Sequence, residues 1–454
     1  MKAKKARLFL GLIFCAIATG NATALTRSAL AQSNSSMTDL PLRGPVTNPV
    51  SITQAMSETL TQSPRAASLR LQLGIAKSEV VRATQMPNPS FLMDNGYRAE
   101  FTYRYGVAIP LEPPWKMALR IIAAKKQIKR VDLEISKSLW ALRGDIRRAY
   151  TEVLIAQERY ETFKELANLN LALLDTADKK CKAGDVARVD VFRAELASTQ
   201  AAINRDQAAA EVLRAKQSLN VLLGRKHDLD IIVPRLESVP VQLKAEQSSY
   251  IPDLQAPLPV LSQLEAMAYD HRLDLKIVDQ TLKAARAGLN VSLANVVPTP
   301  AIGVGRSAVN GPPLVAGNGP SPNTFHGFFF QAFADIPIFN FQQGDIAKYK
   351  SVMEQLRAER LTQKNIIEQE VVHAYQSVVM QRQKIQTYQE KALSRSIEIA
   401  NLMQRSYQVG EKDITAALQA QQANTQVRND YLDAIKAYEL AYTDLEQAIG
   451  TTLY

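Results

Sequence analysis

Few residues in this chain are spaced for bond-making chemistry. Its four histidines, His227, His271, His326 and His373, stand singly, far from the i, i+4 or Cys-x-x-Cys spacings that hold a metal ion. No phosphate-binding loop, nucleophile elbow or zincin motif is present, and Gly303 and Gly305 lack the third glycine and the strand-to-helix context of a dinucleotide fingerprint. The ten methionines are dispersed, so no methionine relay for copper is read. Beyond the segment 1–31, Cys181 is the one cysteine; it forms no intrachain disulfide and reads as a packed thiol. The expectation is a protein without catalytic residues, cofactor or resident metal. The most concentrated charge beside special backbone lies at two glycine turns, KCKAGDVARVD around Gly184 and RSYQVGEKDIT around Gly410. Asp185, Glu411 and Asp413 there place acids at helix starts, where the helix dipole favours them whether or not they also face a pore.

The elements that carry these turns are unusually long. Residues 117–181 hold no proline and one glycine, Gly144, and residues 345–409 hold neither. Each would run roughly 98 Å as an unbroken helix. After the turns, 185–223 and 411–449 again lack both breakers. Globular helices average about 11–12 residues, so helices this long need coiled-coil partners or a repeat architecture. Val189, Phe192, Leu196, Thr199 and Ile203 step by three and four as a coiled-coil seam does. Their second-half counterparts Thr415, Leu418, Gln422, Thr425 and Asn429 are mostly polar. Either that helix has water on both sides, or its seam is shifted by a residue or two.

Those counterparts exist because the chain is duplicated. Gly184, Ala194, Thr199, Gln200, Ala215, Leu219 and Gly224 recur as Gly410, Ala420, Thr425, Gln426, Ala441, Leu445 and Gly450, all at an offset of 226. Ala149-Tyr150 recurs as Ala374-Tyr375 at an offset of 225, and Ile109-Pro110 as Ile336-Pro337 at 227. Each half opens with a helix, about 51–85 and about 258–296, closed by a proline pair. A strand-like stretch follows. Phe101, Tyr103, Tyr105, Val107 and Ile109 alternate with Thr102, Arg104, Gly106 and Ala108, which is the period of a β-strand. The second-half stretch is preceded by the Gly/Pro-rich insert GRSAVNGPPLVAGNGPSPN, 305–323. The domain reading is a signal peptide over 1–31, an N-terminal segment 32–50, a first repeat 51–224 with a hairpin near 90–110, a linker 225–257, a second repeat 258–450 with a hairpin near 300–338, and a tail 451–454.

The segment 1–31 carries Lys2, Lys4, Lys5, Arg7 and Arg27 and no acid, so its removal halves the net charge of +10. Leu8 to Ala18 form a short apolar core, and Ala29-Leu30-Ala31 offers a cleavage site, with Ala22-Thr23-Ala24 as an alternative. Phe14 before Cys15 argues against lipidation there. The remaining cations are interspersed with acids along helices, which reads as solvated faces rather than a nucleic-acid patch. With 46% hydrophobic and 22% charged residues, the chain is not disordered as a whole. No later stretch is apolar enough for a membrane helix, which leaves a periplasmic or extracellular protein, or an outer-membrane β-barrel.

A signal peptide, two matched halves, one hairpin in each and paired helices too long for a globule together resemble the TolC-like family of outer-membrane efflux proteins. The likeness covers about 51–450. It is carried by the Gln85-Met86-Pro87-Asn88-Pro89 helix stop, the Ile-Pro strand exits, the Ala-Tyr pairs and the two glycine turns. The Pro-Asn-Pro form leans toward the heavy-metal branch with the CzcC-like channels. The resemblance implies a mostly α fold with a small β part: a long α-helical coiled-coil barrel and four membrane β-strands per protomer, three protomers closing one 12-stranded barrel. It implies a passive duct in the cell outer membrane, extending into the periplasm and surrounded by outer-membrane lipid. Its partners would be a homotrimer's other copies, a periplasmic adaptor (membrane fusion protein) and an inner-membrane pump, with no nucleic acid. Carried over residue by residue, the periplasmic gate falls on Asp190, Tyr407 and Lys412, with Asp190 and Tyr407 linked by a hydrogen bond. The adaptor-facing turns fall on Gly184 and Gly410. Where the family's best-known member has two pore-ringing aspartates, this chain has Ala416 and Gln419, so cation block of the pore is expected to be weak. A periplasmic coiled-coil adaptor or a structural envelope protein are the competing readings. The first would carry one helical hairpin with more β-structure, and the second would need no aromatic strands.

Overall fold

The computed structural model describes residues 49–95, 103–236, 254, 256–310 and 324–453. The signal peptide, both hairpin tips and most of the linker lie outside these residues. Two short helices open the described chain, α1 (Ile52–Gln62) and α2 (Pro64–Thr84). The sequence reads 51–85 as one helix, and Ser63 breaks it. Ser63 is extended, caps α2 by accepting from the Ala66 amide, and is followed by Pro64 at the first helical position, where a missing N–H costs nothing. Strands β1 (Ser90–Asn95) and β2 (Tyr103–Pro110) follow, then α3 (Pro114–Ala183), 70 residues without interruption. Beyond the Gly184 turn comes α4 (Arg188–Leu223). The second half repeats the order: α5 (Leu261–His271), α6 (Leu273–Asn295), β3 (Ala301–Asn310), β4 (Thr324–Phe333), α7 (Gln343–Thr387), a π-helical turn (Tyr388–Ala392), α8 (Leu393–Val409) and α9 (Ile414–Ile449). The helix read over 258–296 is likewise two, broken at Arg272.

The four strands form one antiparallel sheet in the order β1-β2-β3-β4. Phe91, Val107, Val304 and Phe330 lie side by side across it, and all four side chains are exposed. The opposite face carries Gly106, Ala108, Gly303, Gly305 and Gln331 together with Leu92 and Phe329, and Gly106 and Ala108 there are buried. A water-soluble sheet buries its apolar face; this one displays it, which suits a wall with lipid outside. Buried Lys116 at the start of α3 ties the sheet to the helices, its Nζ donating to the Val297 carbonyl at 2.5 Å and to Thr299 Oγ1 at 2.9 Å.

Nearest the sheet, α2, α3, α6 and α7 lie in sequence side by side; toward the turns, α4 flanks α3 and α9 lies between α3 and α8. Thus α3 and the α7–α8 helix run the whole length, while shorter helices meet end to end. At one such junction Gly224, left-handed at φ +76°, sits against Ser63–Pro64; at the other Gly450, at φ +75°, sits against His271–Arg272. Arg225 reaches across the first to Glu58 at 2.7 Å. Arg272 caps the end of α9 through the Gln447 and Ala448 carbonyls and pairs with Glu370 at 2.7 Å. Two apolar cores sit beside these junctions, one built on α1, α3 and α4 with Ile231 and Val233 from the segment after α4, the other on α5, α7 and α9.

The seam that joins α4 to α3 differs from the sequence reading. Ala194, Ala201, Ala208 and Ala215 step by seven and are buried, so backbones approach closely. The larger stripe, Val189, Phe192, Leu196 and Ile203, is 45–72% exposed. In α9 the seam is mixed: Ala417, Leu418, Gln421 and Thr425 are buried, whereas Gln422 and Asn429 are not among the buried residues.

Candidate functional site

The charged turns of the sequence end the long helices together. Gly184 (φ +84°) and Gly410 (φ +88°) are left-handed caps, and a Cβ on either would meet nothing within 4 Å. The backbone explains their residue type: Gly184 and Asp185 amides return to the Cys181 and Lys180 carbonyls, and Gly410 and Glu411 amides to Tyr407 and Ser406. This is the 5→2 and 6→1 closure of a Schellman turn. Unlike the packed Gly224 and Gly450, these two glycines are free to meet a partner. Asp413 is the N-cap of α9, accepting from the Ala416 amide at 3.0 Å, so its carboxylate is engaged in ending the turn.

Tyr407 is buried in a cluster with Leu173 and Ala177 of α3, Ala194 of α4 and Ile414, Ala417 and Leu418 of α9. Burial, with the nearby Asp190 carboxylate as the lesser cause, raises its phenol above the ordinary tyrosine value. Asp190 and Tyr407 are therefore brought together, but the expected hydrogen bond between them is not formed in the protomer. The Asp190 carboxylate takes Arg193, one helical turn on, at 3.2 Å. The Tyr407 hydroxyl has no hydrogen-bond partner among the described residues. Arg193 also reaches Thr415 on α9. Lys412 lies exposed in the turn; its amide contacts the Ser406 carbonyl at 3.4 Å, and its side chain makes no ion pair among the described residues. Gln419 is exposed on α9 and Ala416 partly so.

The residue that does hold Tyr407 was not singled out in the sequence. Lys180, in the last turn of α3, donates its amine to the Tyr407 carbonyl at 2.6 Å and stands over the Tyr407 ring at 4.7 Å. A cation at a helix C-terminus satisfies an end carbonyl and the negative end of the dipole. The cue in the sequence, a lysine in the last turn before a capping glycine, is also carried by Lys182, which pairs with Asp178 instead.

A second charged cluster lies higher, between α3 and α9. Arg147 spans Glu439 at 3.2 Å and Glu446 at 3.0 Å, and Arg143 also reaches Glu446 at 3.1 Å. Glu439 is fully buried; desolvation pushes its carboxyl up to about 7 although Arg147 pulls the other way. Among the described residues no group of three or more His, Cys, Asp or Glu side chains converges on a metal-sized site. No described helix is long and apolar enough to cross a membrane.

Residues 265–451 match the family described as "Outer membrane efflux protein". This chain resembles the outer membrane efflux proteins of the TolC-like kind. It is 23% identical over 436 residues to the cobalt-zinc-cadmium resistance protein CzcC of Cupriavidus metallidurans, covering 93% of this chain and 95% of that one. Its fold matches the CusC channel with a TM-score of 0.67 at 16% identity, over 91% of this chain and 96% of that one. It matches the open-state MtrE outer membrane channel of Neisseria gonorrhoeae with a TM-score of 0.64 at 16% identity, over 88% of this chain and 89% of that one. The chain thus has the fold of outer-membrane channels over most of its length. Its family consists of ducts rather than enzymes.

Proposed function

We propose that three copies of this efflux protein close into one passive duct, with 12 strands in the outer membrane and the helices forming a periplasmic cylinder. The carrying observation is that each layer of the protomer is an open strip with two unlike edges. β1 and β4 end the sheet; α2 and α4 end the helical layers on one side, α7 and α8 on the other. Strand edges cannot stay unpaired in lipid, and unlike edges join head to tail into a ring. The exposed Val189, Phe192, Leu196 and Ile203 stripe of α4 then meets the α8 edge of the next copy, which displays Ile397, Ile399 and Leu402. In this reading residues 1–31 are the signal peptide, and the repeats 51–224 and 258–450 flank the linker 225–257. Gly184 and Gly410 face a periplasmic adaptor that couples the duct to an inner-membrane pump. Asp190, Tyr407 and Lys412 close the periplasmic end, the Tyr407 hydroxyl finding its partner on the neighbouring copy. Heavy-metal cations are the favoured cargo, on the strength of the resistance protein CzcC.

Cross-linking of the mature protein in outer membranes tests the assembly. A trimer is expected, and a monomer that stays soluble without detergent refutes it. Cargo is tested by restoring cobalt, zinc or cadmium tolerance to a strain lacking the channel; failure with all three metals while a drug is exported removes the metal assignment.

A further inference from the structure

The exposed face of the sheet changes character along its length. From the helix side outward its cross-strand rows read Phe91, Val107, Val304 and Phe330, then Met93, Tyr105, Arg306 and Phe328, then Tyr103, Ala308 and His326. Arg306 and His326 are exposed. The Arg306 guanidinium lies over the Phe328 ring at 5.4 Å. Tyr103 and Tyr105 stack at 5.9 Å, and the Tyr103 and His326 rings are 6.5 Å apart. Among the described residues, neither Arg306 nor His326 has a hydrogen bond or an ion pair. The one acid in the described strands, Asp94, belongs to the other face, where its register partner is Arg104. Two cationic or proton-donating side chains therefore share a face with no counter-ion.

Their height on the sheet gives the reason. Just past its helix-side end Trp115, Ile336 and Phe339 are exposed, as side chains at a membrane boundary are. Phe328, beside Arg306, is eight residues from Ile336, and His326 is ten. An extended chain tilted at about 45° climbs roughly 19 Å over the first interval and roughly 23 Å over the second. The apolar band of an outer-membrane barrel is about 25 Å tall, so the cluster stands at its far boundary. A guanidinium facing lipid is costly in the middle of the band and tolerated close to the headgroups. The anion available at that depth is the headgroup phosphate. Arginine grips phosphate oxygens with its planar fork, and tyrosine hydroxyls and an imidazole add donors beside it.

We infer that Arg306, with Tyr103, Tyr105 and His326 around it, binds the phosphate of an anionic lipid headgroup in the outer leaflet. This rests on the reading of the sheet as part of a membrane barrel. Phe328 backs the guanidinium, so little freedom is lost when the phosphate arrives. The acyl chains below that phosphate lie along Val107, Val304 and Phe330, which a free phosphate ion would leave uncovered. One such lipid on each protomer fixes the depth at which the barrel sits.

The channel reconstituted in phosphatidylcholine nanodiscs, with and without lipid A as the probe, tests this by native mass spectrometry of the lipid that the released protein retains. Wild type should keep lipid A. Arg306→Gln should keep it about ten-fold less well, the loss of one charge-assisted hydrogen bond, with Arg306→Lys in between. Arg104→Gln, on the opposite face, should match wild type. Equal retention by wild type and Arg306→Gln overturns the site, and so does an equal loss in Arg104→Gln. Complete displacement of lipid A by inorganic phosphate overturns the lipid assignment. A chain that enters neither kind of nanodisc refutes the membrane reading and the site with it, whereas a trimer found in both that keeps no lipid A refutes the site alone. Should Arg306→Gln not assemble, Tyr103→Phe with His326→Ala decides. Removing those donors should lower retention roughly two-fold or more, and unchanged retention overturns the proposal.

Discussion

Replacing Arg147 with methionine should destabilise the protein far more at pH 8 than at pH 5. Arg147 holds Glu439 and Glu446 together inside the α3–α9 contact, and Glu446 keeps Arg143 when it is lost. Glu439 is the group left alone. In the folded protein its carboxyl titrates at about 7, against 4.5 without burial. The folded state therefore holds this proton more tightly than the unfolded chain, and the stability it contributes falls as pH rises from about 4.5 through about 7. At about 1.4 kcal/mol per pH unit, the fall is about 3 kcal/mol per protomer in the wild type. Without Arg147 the carboxyl loses the partner that lowers it, so it stays protonated to higher pH and the fall continues beyond the point where it ends in the wild type. At pH 5 Glu439 is protonated in either protein, and this difference vanishes. What remains there is the loss of the Glu446 bond and of the Tyr442 ring that the guanidinium covers at 5.4 Å. The assay is thermal unfolding in detergent, followed by tryptophan fluorescence at fixed protein concentration. Equal destabilisation at the two pH values, or a larger one at pH 5, would show that Glu439 is not a buried carboxyl paired with Arg147.

Three further outcomes follow from the same geometry. Gly184→Val with Gly410→Val should cost about 1 kcal/mol at each turn and weaken adaptor pull-down while the trimer persists; undiminished capture would remove the turns from the docking surface. Leu196→Glu places a charge in the exposed stripe of α4, so trimers should dissociate at a lower temperature on unheated gels while helical content by circular dichroism is unchanged; unaltered trimer migration would place that stripe outside the interface. Wild-type pores should be weakly blocked by divalent or trivalent cations, and Ala416→Asp with Gln419→Asp should create block. Strong block at micromolar concentration in the wild type would mean that Asp185, Glu411 or Asp413 lines the pore.

Much of the fold was legible because it follows from local rules. Long stretches without glycine or proline give long helices, and Gly184 and Gly410 mark their ends because only glycine takes a left-handed cap without strain. Tyr103, Tyr105, Val107 and Ile109 announce a strand by alternation alone. The one-residue change of repeat offset, from 225 to 226, was visible too, but nothing in the letters says that a helix absorbs it as a π turn. The breaks at Ser63 and Arg272 were missed because each interrupts an apolar pattern that continues on both sides; the end of another helix, at Gly224 or Gly450, occupies the gap.

Residue types and spacing alone determined that this is a duplicated, mostly helical chain with a strand pair in each half. Each of those properties depends on neighbours in sequence. Tertiary structure decided which side of each element is covered. Val189, Phe192, Leu196 and Ile203 have the spacing of a buried seam, yet Ala194, Ala201, Ala208 and Ala215 are buried instead, because α3 approaches α4 closely enough to favour small side chains. Asp190 stands beside Tyr407, yet it bonds Arg193, while Lys180 crosses from another helix to hold the Tyr407 carbonyl. Helical periodicity gives an angle around one axis; the partner at that angle is set by how distant helices pack.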